Sequence, residues 1–293
     1  MEIANTTKKL IELALAEDIG YDDHGNDNGG DITSNAVIPA DAVAKFEFSA
    51  REEMVVCGLE IANYILSEGD TCKVRGALKS TLQFEAFCKD GDKVSAGTKI
   101  ATVSGNALEI LALERMTLNF MQHLSAIATL TNKYVQEVEG TKAKILDTRK
   151  TTPGWRDLEK YAVRCGGGQN HRMRLNDMVL IKDNHITAAG GIEAAVAAAR
   201  AHTKLKIELE VDTIEQLHQA IAAQPDIIML DNFSLENLRE AVKIVAGGIP
   251  LEASGGVNLQ TVKAIAQTGV DRISTSKITQ SAPAVDIGLD ETE

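Results

Sequence analysis

The chain has 293 residues, of which 44% are hydrophobic and 25% charged, and its formal net charge is −12 at pH 7. This length suffices for one large domain, or for a barrel with a smaller partner domain. The acidic balance argues against nucleic acid as a partner, because a phosphate backbone requires a basic surface. No apolar run approaches the roughly 20 residues that span a membrane, so no membrane association is expected.

The cysteines indicate a reducing compartment. Cys57, Cys72, Cys88 and Cys165 lack the close spacing of a zinc knuckle or a redox motif. The N-terminus has the pattern of an amphipathic helix and no signal-peptide core. We therefore expect reduced thiols and a cytoplasmic location.

The segment from residue 1 to residue 117 is predicted to form a small α+β sandwich domain. After the first helix, short stretches with partial strand alternation occur at 42–52, 71–78, 81–94 and 99–105. The acidic run at 21–31 fits no regular element and no register of the EF-hand pattern, which favours a solvated loop over a calcium site. Residues 107–138 are strongly helical and long enough to carry the chain into a second domain.

Beyond residue 117 the pattern changes to apolar strands that alternate with helices. Strands are predicted at 143–148, 178–182, 205–211, 226–230, 249–254 and 270–275, and helices between most of them at 191–202, 213–224, 234–247 and 258–269. Three of these helices have Thr, Ser or Asn near the start as an N-cap. This alternation is typical of βαβ units with a parallel sheet. We therefore predict an α/β fold, with a six-stranded or otherwise incomplete α/β barrel over 118–280. Residues 281–293 are a C-terminal tail, for which a return to the N-terminal domain is one option.

Polar side chains follow every predicted strand of this barrel. In barrels the loops after the strands converge at one face, and that face carries the active site. Residues 149–185 contain eight Lys or Arg and four Asp or Glu, a local charge of +4 that leaves −16 for the rest of the chain. Because Arg149, Lys150 and Lys182 follow apolar strands directly, a small-anion site is favoured over a solvated basic face.

Several other segments are candidates for ligand contact. Ser254-Gly255-Gly256 and Thr275 to Lys277 follow the last two strands, where barrels often bind phosphate. The glycine-rich segment 164–172 ends in His171 and Arg172 and is interpreted as a loop that presents both to a ligand, with a tight turn as the alternative. Cys165 within it is more readily a structural thiol than a nucleophile.

Glu208 and Glu210 lie on the same face of one strand because residues two apart in a strand point the same way. Together with Asp231 on the next strand, these carboxylates could hold ribose hydroxyls and a magnesium ion. The alternative for either glutamate is a salt bridge with Lys206 or Lys182.

Long motifs in this sequence resemble the quinolinate phosphoribosyltransferases. They cover nearly the whole chain in order: EDIG…GDIT at 17–33, LERMTLNF at 113–120, ILDTRKTTPG at 145–154, EKYAVRCGGGQNHR at 159–172, MVLIKDNH at 178–185, IMLDN at 228–232 and EASGG at 252–256. The resemblance implies that quinolinate and phosphoribosyl pyrophosphate give nicotinate mononucleotide, pyrophosphate and CO2, with Mg²⁺, in NAD biosynthesis. It also implies a homodimer or a hexamer of dimers, in which a neighbouring subunit completes each site.

The resemblance assigns roles by motif. Arg115 should reach the quinolinate of the neighbouring subunit, while Arg149, His171 and Arg172 should bind its carboxylates. Lys150 and Lys182 should lie near the reacting carbons, and Glu210 and Asp231 should act on the ribose or its metal. The complete expected set of substrate-binding residues is Arg115, Thr148, Arg149, Lys150, His171, Arg172, Lys182, Glu210, Asp231, Ser254, Gly255, Gly256, Thr275, Ser276 and Lys277, of which Lys150, Lys182, Glu210 and Asp231 are the expected catalytic residues.

The sequence departs from the family pattern at the last strand. Ser276 stands where the family has a phosphate-loop glycine, and Lys277 replaces a small apolar residue, so the phosphate site differs in detail. Three other functions stay open: a Schiff-base aldolase using Lys150 or Lys182, a carrier module suggested by GDKVSAGTKI at 91–100, and a paralogous phosphoribosyltransferase such as the molybdenum-associated family. Substrate profiling separates the last of these.

Overall fold

The computed structural model of the chain describes residues 3–20, 30–68 and 82–292. These residues form two compact units, each with its own core. The first unit comprises Met1–Thr129, Pro153–Gly166 and Ala282–Glu293, and the second comprises Leu130–Thr152 and Gly167–Ser281. Two of the predicted segments, the strand at 71–78 and most of the acidic loop at 21–31, lie outside the described residues.

The first unit combines helices with a small antiparallel sheet. Its helices are α1 (Asn5–Ile19), α2 (Ile32–Val37), α3 (Leu59–Asn63), α4 (Ala107–Glu137) and α5 (Arg156–Cys165), and its strands are β1 (Val43–Ala50), β2 (Met54–Val55), β3 (Gln83–Ala86), β4 (Lys93–Val94), β5 (Lys99–Asn106) and β12 (Ile287–Glu291). The expected domain boundary at residue 117 lies inside α4, and the first unit extends along this helix to Thr129.

The main sheet of the first unit has the order β12-β1-β5-β3, and β2 pairs separately with β4. β1 is antiparallel to both of its neighbours. The last three residues of β1, at 48–50, are buried, and Phe48 has no exposed surface. The C-terminal tail supplies β12, which aligns Ile287 with Ala50, so the end of the chain is part of this unit.

The second unit is built on a parallel sheet of six strands. They are β6 (Lys144–Leu146), β7 (Val179–Ile181), β8 (Ile207–Val211), β9 (Ile227–Asp231), β10 (Leu251–Ser254) and β11 (Arg272–Ser274), in the order β6-β11-β10-β9-β8-β7. All six predicted strands are therefore confirmed. Among the described residues no ladder joins the outer strands β6 and β7, which makes the sheet an incomplete barrel.

Helices separate these strands, and they are α6 (Asp183–Ala189), α7 (Ile192–His202), α8 (Ile214–Ala223), α9 (Leu235–Val245), α10 (Val262–Ala266) and α11 (Lys277–Gln280). The predicted hydroxyl caps of α8 and α9 are confirmed, because Thr213 accepts a hydrogen bond from the backbone of Gln216 and Ser234 from that of Asn237. No helix of the described part of the chain is both long and apolar enough to cross a bilayer.

The stretch 258–269 forms a shorter helix than its pattern predicts. The side-chain oxygen of Asn258 accepts hydrogen bonds from the backbone N–H groups of Gln260, at 2.9 Å, and Thr261, at 3.1 Å. Asparagine competes in this way with helix formation and favours a turn. The helix α10 therefore begins only at Val262.

Candidate active site at the carboxyl edge of the parallel sheet

The expected site residues of the second unit meet at one edge of its sheet. Because all six strands are parallel, the residues that end or follow them lie side by side in the order of the strands. In that order they are Arg149 and Lys150 after β6, Thr275 to Lys277 after β11, Ser254 to Gly256 at β10, Asp231 at β9, Glu210 in β8 and Lys182 after β7.

Buried Asp147, which directly follows β6, holds the end of the glycine-rich segment by two hydrogen bonds. One of its carboxylate oxygens accepts from the backbone N–H of His171 at 2.9 Å, and the other accepts from the amide of Asn170 at 2.5 Å. The backbones of Gln169 and β6 also exchange hydrogen bonds, which aligns Leu146 with Gln169 in a parallel bridge. The end of the glycine-rich segment is thus held against β6 as a further, very short strand.

The imidazole of His171 uses both of its nitrogens inside this unit. Nδ1 accepts from the backbone N–H of Arg172 at 2.8 Å, so the ring proton lies on Nε2. Nε2 is 2.8 Å from a carboxylate oxygen of Glu208 and 3.5 Å from one of Glu252. The ring is therefore held by the backbone of Arg172 on one side, and it lies against two buried carboxylates on the other.

The two glutamates below His171 have no exposed surface. Burial, followed by the nearby charge of Glu208, raises the pKa of Glu252 to about 7, against the partial opposing effect of His171. Two ionised carboxylates at this separation repel each other in a medium of low dielectric constant. The raised pKa means that Glu252 is protonated in a large part of the molecules at neutral pH.

Arg149 and Arg172 lie close enough to influence each other. Burial is the first cause that lowers the pKa of the Arg172 guanidinium, and the positive charge of Arg149 is the second. The guanidinium of Arg172 also donates to the carbonyl of Met178 at 3.3 Å. Bringing two arginines together costs electrostatic energy, and a bound anion with two acceptor groups would recover it.

Lys182 and Glu210 form an ion pair between the ends of β7 and β8. The glutamate carboxylate is 12% exposed and the lysine side chain is 44% exposed, so the ammonium also reaches solvent. The sequence left open a salt bridge between these glutamates and Lys206 or Lys182, and the structure has one between Glu210 and Lys182. Glu208 pairs with His171 instead, a partner that the sequence did not indicate.

The β9 and β10 ends pack tightly through Asn232 and Gly255. Asn232 donates from its amide to Asp231 at 2.7 Å and has a positive φ of 55°. A Cβ at Gly255, whose φ is 90°, would lie 2.1 Å from the amide oxygen of Asn232. Gly255 is therefore required for the approach of Asn232, which in turn orients Asp231.

The β6 and β11 loops are joined by a hydrogen bond from the hydroxyl of Thr279 to the carbonyl of Lys150, at 2.8 Å. Within these loops, Thr148 accepts from the backbone of Lys150 at 3.0 Å and Thr275 accepts from that of Lys277 at 3.2 Å. Two threonines thus shape the loops that carry the two lysines. Lys150 and Lys277 are both exposed, which leaves their ammonium groups accessible.

One residue of the expected set belongs to the first unit, and three residues that were not expected contact site residues of the second unit. Arg115 lies on α4 in the first unit, where it is exposed. The sequence interpretation assigned no role to Asp147, Asn232 or Glu252, although all three hold site residues in place. For Glu252 a signal was present, because a glutamate flanked by Leu251 and Ala253 in a buried strand requires a partner.

Two groups of side chains at this edge have the donors that a metal ion would need. Glu210 and Asp231 offer carboxylate oxygens on neighbouring strands, and hard oxygen donors suit Mg²⁺. Ligand atoms of His171, Glu208 and Glu252 lie within 4.8 Å of one another. Because Nε2 of His171 carries the ring proton, that nitrogen offers no lone pair to an ion.

Comparison with known proteins identifies relatives along nearly the whole chain. Residues 31–125 match the N-terminal domain of quinolinate phosphoribosyl transferase, and residues 127–290 match its C-terminal domain. The nicotinate-nucleotide pyrophosphorylase (carboxylating) of Mycobacterium leprae is 41% identical over 98% of this chain and 97% of its own length. A mitochondrial quinolinate phosphoribosyltransferase (decarboxylating) of Nicotiana glauca is 42% identical over 96% of this chain and 81% of its own length.

A solved structure gives the same result. The nicotinate-nucleotide pyrophosphorylase of Francisella tularensis superposes with a TM-score of 0.89 at 42% sequence identity, covering 98% of this chain and 96% of that one.

Proposed function

Because the chain belongs to the quinolinate phosphoribosyltransferase family, we infer that it transfers the phosphoribosyl group of phosphoribosyl pyrophosphate to quinolinate with decarboxylation. The products are nicotinate mononucleotide, pyrophosphate and CO2. The observation that carries this inference is the sheet edge on which the cations Arg149 and Lys182 and the carboxylates of Glu210 and Asp231 lie in strand order. A dianionic pyridine and a sugar phosphate require those opposite charges within one site.

Quinolinate binding is proposed for Arg149 and Arg172. A guanidinium matches a carboxylate with two parallel hydrogen bonds, and quinolinate has two carboxylates. His171 was expected to contact them as well. Its contacts favour a positioning role, because its Nδ1 holds the backbone of Arg172 while its Nε2 faces Glu208.

Glycosyl transfer begins when the ring nitrogen of quinolinate attacks C1 of the ribose and pyrophosphate leaves. The carboxylates of Glu210 and Asp231 are proposed to stabilise the oxocarbenium-like charge and to bind the ribose hydroxyls. We propose that these two residues also hold Mg²⁺, which would neutralise the pyrophosphate. The loops Ser254 to Gly256 and Thr275 to Lys277 are proposed to hold the 5′-phosphate.

Decarboxylation follows because the quaternised ring nitrogen attracts electrons. The bond from C2 to its carboxylate breaks, CO2 leaves, and the electron pair that stays on C2 takes a proton from solvent. An ammonium beside C2 would stabilise this charge, and Lys150 is proposed for that position. Lys182 is proposed to assist while paired with Glu210.

The aldolase alternative requires an unprotonated lysine as nucleophile. The nitrogen of Lys182 is instead in contact with the carboxylate of Glu210. No observation at this site favours a Schiff base, and the named relatives favour the quinolinate reaction over the carrier and molybdenum-associated alternatives.

The test is a product assay with quinolinate labelled in its 2-carboxylate and phosphoribosyl pyrophosphate, run in parallel with nicotinate. Labelled CO2 and nicotinate mononucleotide are expected from quinolinate, and product from nicotinate alone would refute the inference.

The variant K150A should lose turnover by at least about 100-fold with an unchanged circular-dichroism spectrum. A normal kcat in K150A would remove Lys150 from the mechanism.

We further propose that the protein assembles as a homodimer or as a hexamer of dimers, with Arg115 contributing to the neighbouring site. Family membership supports this proposal, together with the exposure of Arg115 on α4. Light scattering gives the assembly size. Mixing R115A with K150A subunits should restore activity if the site is shared, because one mixed site then contains both side chains. A cytoplasmic location is also proposed, supported by the cysteine usage of the sequence, in which no two cysteines have the close spacing of a redox motif.

A further inference from the structure

Three side chains with metal-binding atoms meet in the first unit, apart from the residues of the proposed reaction. Cys57 lies between β2 and α3, Asp90 lies just before β4, and Cys165 is the last residue of α5. One ligand atom of each lies within 4.8 Å of the other two. Since these residues are far apart in sequence, the fold of the unit assembles the cluster.

The backbone around the cluster is held by hydrogen bonds that need no metal. The hydroxyl of Ser125 accepts from the N–H of Cys57 at 2.9 Å and donates to its carbonyl at 3.1 Å. One oxygen of Asp90 accepts from the N–H of Leu59 at 3.0 Å, and the other accepts from the hydroxyl of Tyr161 at 2.8 Å. Such outer contacts orient ligands and increase the affinity of a metal site.

The chemistry of the donors selects the class of ion. Two sulfurs and one carboxylate suit a thiophilic ion such as Zn²⁺, whereas Mg²⁺ prefers oxygen alone. Three protein ligands leave the fourth tetrahedral position for water or another small ligand.

An entry path is also present. Cys57 has no exposed surface, but Cys165 is partly exposed. Asp90 and Tyr161 line a pocket of about 520 Å³ in the same unit. A hydrated ion can therefore approach the carboxylate first and then the two sulfurs.

The main alternative use of two neighbouring thiols is a disulfide. A disulfide would use only the two sulfurs, whereas an oxygen of the partly exposed Asp90 carboxylate also lies within 4.8 Å of both. Cysteines that meet in a reducing compartment serve metal binding more often than a structural disulfide.

We propose that Cys57, Cys165 and Asp90 form a binding site for one Zn²⁺ ion. On binding, each thiol loses its proton to solvent and both sulfurs donate an electron pair to the ion, so no oxidant or reductant takes part. The proposal does not depend on the phosphoribosyl transfer, because none of the three residues belongs to that site.

The test uses Co²⁺ as a spectroscopic probe of the full chain, stripped of metal and kept reduced. Thiolate ligands give a sulfur-to-cobalt charge-transfer band, and tetrahedral coordination gives intense visible bands. An oxygen site such as Glu210 with Asp231 gives neither. We expect both features in the wild type, with loss of both when Zn²⁺ is added.

Variants locate the site. C57S and C165S should abolish the charge-transfer band or weaken Co²⁺ binding by more than about tenfold, and D90N should weaken it similarly. C88S is the matched control, since Cys88 is a thiol of the same unit outside the cluster, and it should bind as the wild type does. Cys72 is retained in every variant, so its contribution is common to all.

A thermal-unfolding readout covers the case in which buried Cys57 does not tolerate substitution. Zn²⁺ should raise the Tm of the wild type and of C88S, but not that of C165S, whose side chain is partly exposed. The proposal is overturned if the wild type gives no charge-transfer band, if the band persists in C165S, or if mass spectrometry finds Cys57 and Cys165 joined as a disulfide in the protein as isolated, before any reductant is added.

Discussion

Nε2 of His171 lies 2.8 Å from a carboxylate oxygen of Glu208, and this contact lies at the base of the candidate site. The proton is on Nε2 because Nδ1 accepts from the backbone of Arg172. The imidazole therefore connects a buried carboxylate with the segment that carries a substrate-binding arginine. Both the stability of the unit and the geometry of the site depend on it.

The first prediction concerns the loss of this imidazole. H171A leaves Glu208 and Glu252 buried without their shared donor, and the free energy of unfolding should fall by about 3–5 kcal/mol. Urea unfolding at neutral pH measures it. Adding E208Q to H171A should recover part of the loss, because it removes a buried charge. A change below about 1 kcal/mol in H171A would contradict the importance of the contact.

The second prediction concerns the pH dependence of stability. The pKa of Glu252 is raised from 4.5 to about 7 in the folded protein, by burial first and by Glu208 second, while His171, Ser274 and Arg272 act in the opposite direction. The folded state then binds the proton more tightly than the unfolded state does. The resulting stabilisation is complete below the unfolded pKa and is lost as pH rises through about 7.

E252Q is the variant that isolates this effect, since glutamine does not titrate. Relative to E252Q, the wild type should lose about 3 kcal/mol of stability between about pH 4.5 and pH 7. Urea unfolding of both proteins across that range measures the difference. Parallel curves for the two proteins would show that Glu252 keeps an ordinary pKa.

The third prediction concerns the arginine pair. R149K and R172K keep the charge but lose the planar fork that binds a carboxylate with two hydrogen bonds. Each should raise KM for quinolinate by about tenfold or more while kcat changes less. R200K is the matched control, because Arg200 forms an exposed ion pair with Asp226 and should leave both constants unchanged. A fall in kcat at constant KM would place these arginines at the transition state alone.

The fourth prediction concerns Gly255. In G255A the added methyl group would meet the side chain of Asn232, and the alanine would have to adopt a φ of 90°. G255A should therefore destabilise the unit by about 3 kcal/mol. It should also lower kcat, because Asn232 holds Asp231. G256A is the comparison, since its φ is 63° and no atom lies within 4 Å of the added carbon.

G256A should therefore cost only about 1 kcal/mol, the cost of the left-handed backbone. Urea unfolding of both variants measures the contrast in stability, and the product assay measures kcat in G255A alone, because Gly256 belongs to the proposed phosphate loop. Equal losses in G255A and G256A would show that backbone strain, not contact with Asn232, explains the requirement for glycine.

Local patterns in the sequence were sufficient to predict the strands of the second unit. The six parallel strands were predicted because each is a short apolar run bounded by polar residues, and the helices between them have caps that act on their own first turn. The helix at 258–269 was predicted too long, because the competing turn depends on the side chain of Asn258 bonding to its own neighbours. The boundary at residue 117 stays a prediction, and it lies within a helix that carries no break.

The chemistry at the strand ends was also present in the sequence. Arg149, Lys150, Lys182, Glu210 and Asp231 follow or end apolar strands, and parallel pairing brings such residues to one edge whatever the detailed packing. Their number and charge indicated an anionic substrate. The long motifs then identified the family, which the comparisons confirm.

Pairings between distant residues could be decided only by the tertiary structure. From the sequence alone, Lys206 and His171 were equally possible partners for the carboxylate of Glu208. For Glu252 the sequence indicated only that this buried glutamate needs a partner. The thiols of Cys57 and Cys165 carried no spacing signal, although the fold places them together. A strand or helix is specified by interactions within a few residues, whereas the partner of a buried charge is selected by whatever the folded chain packs against it.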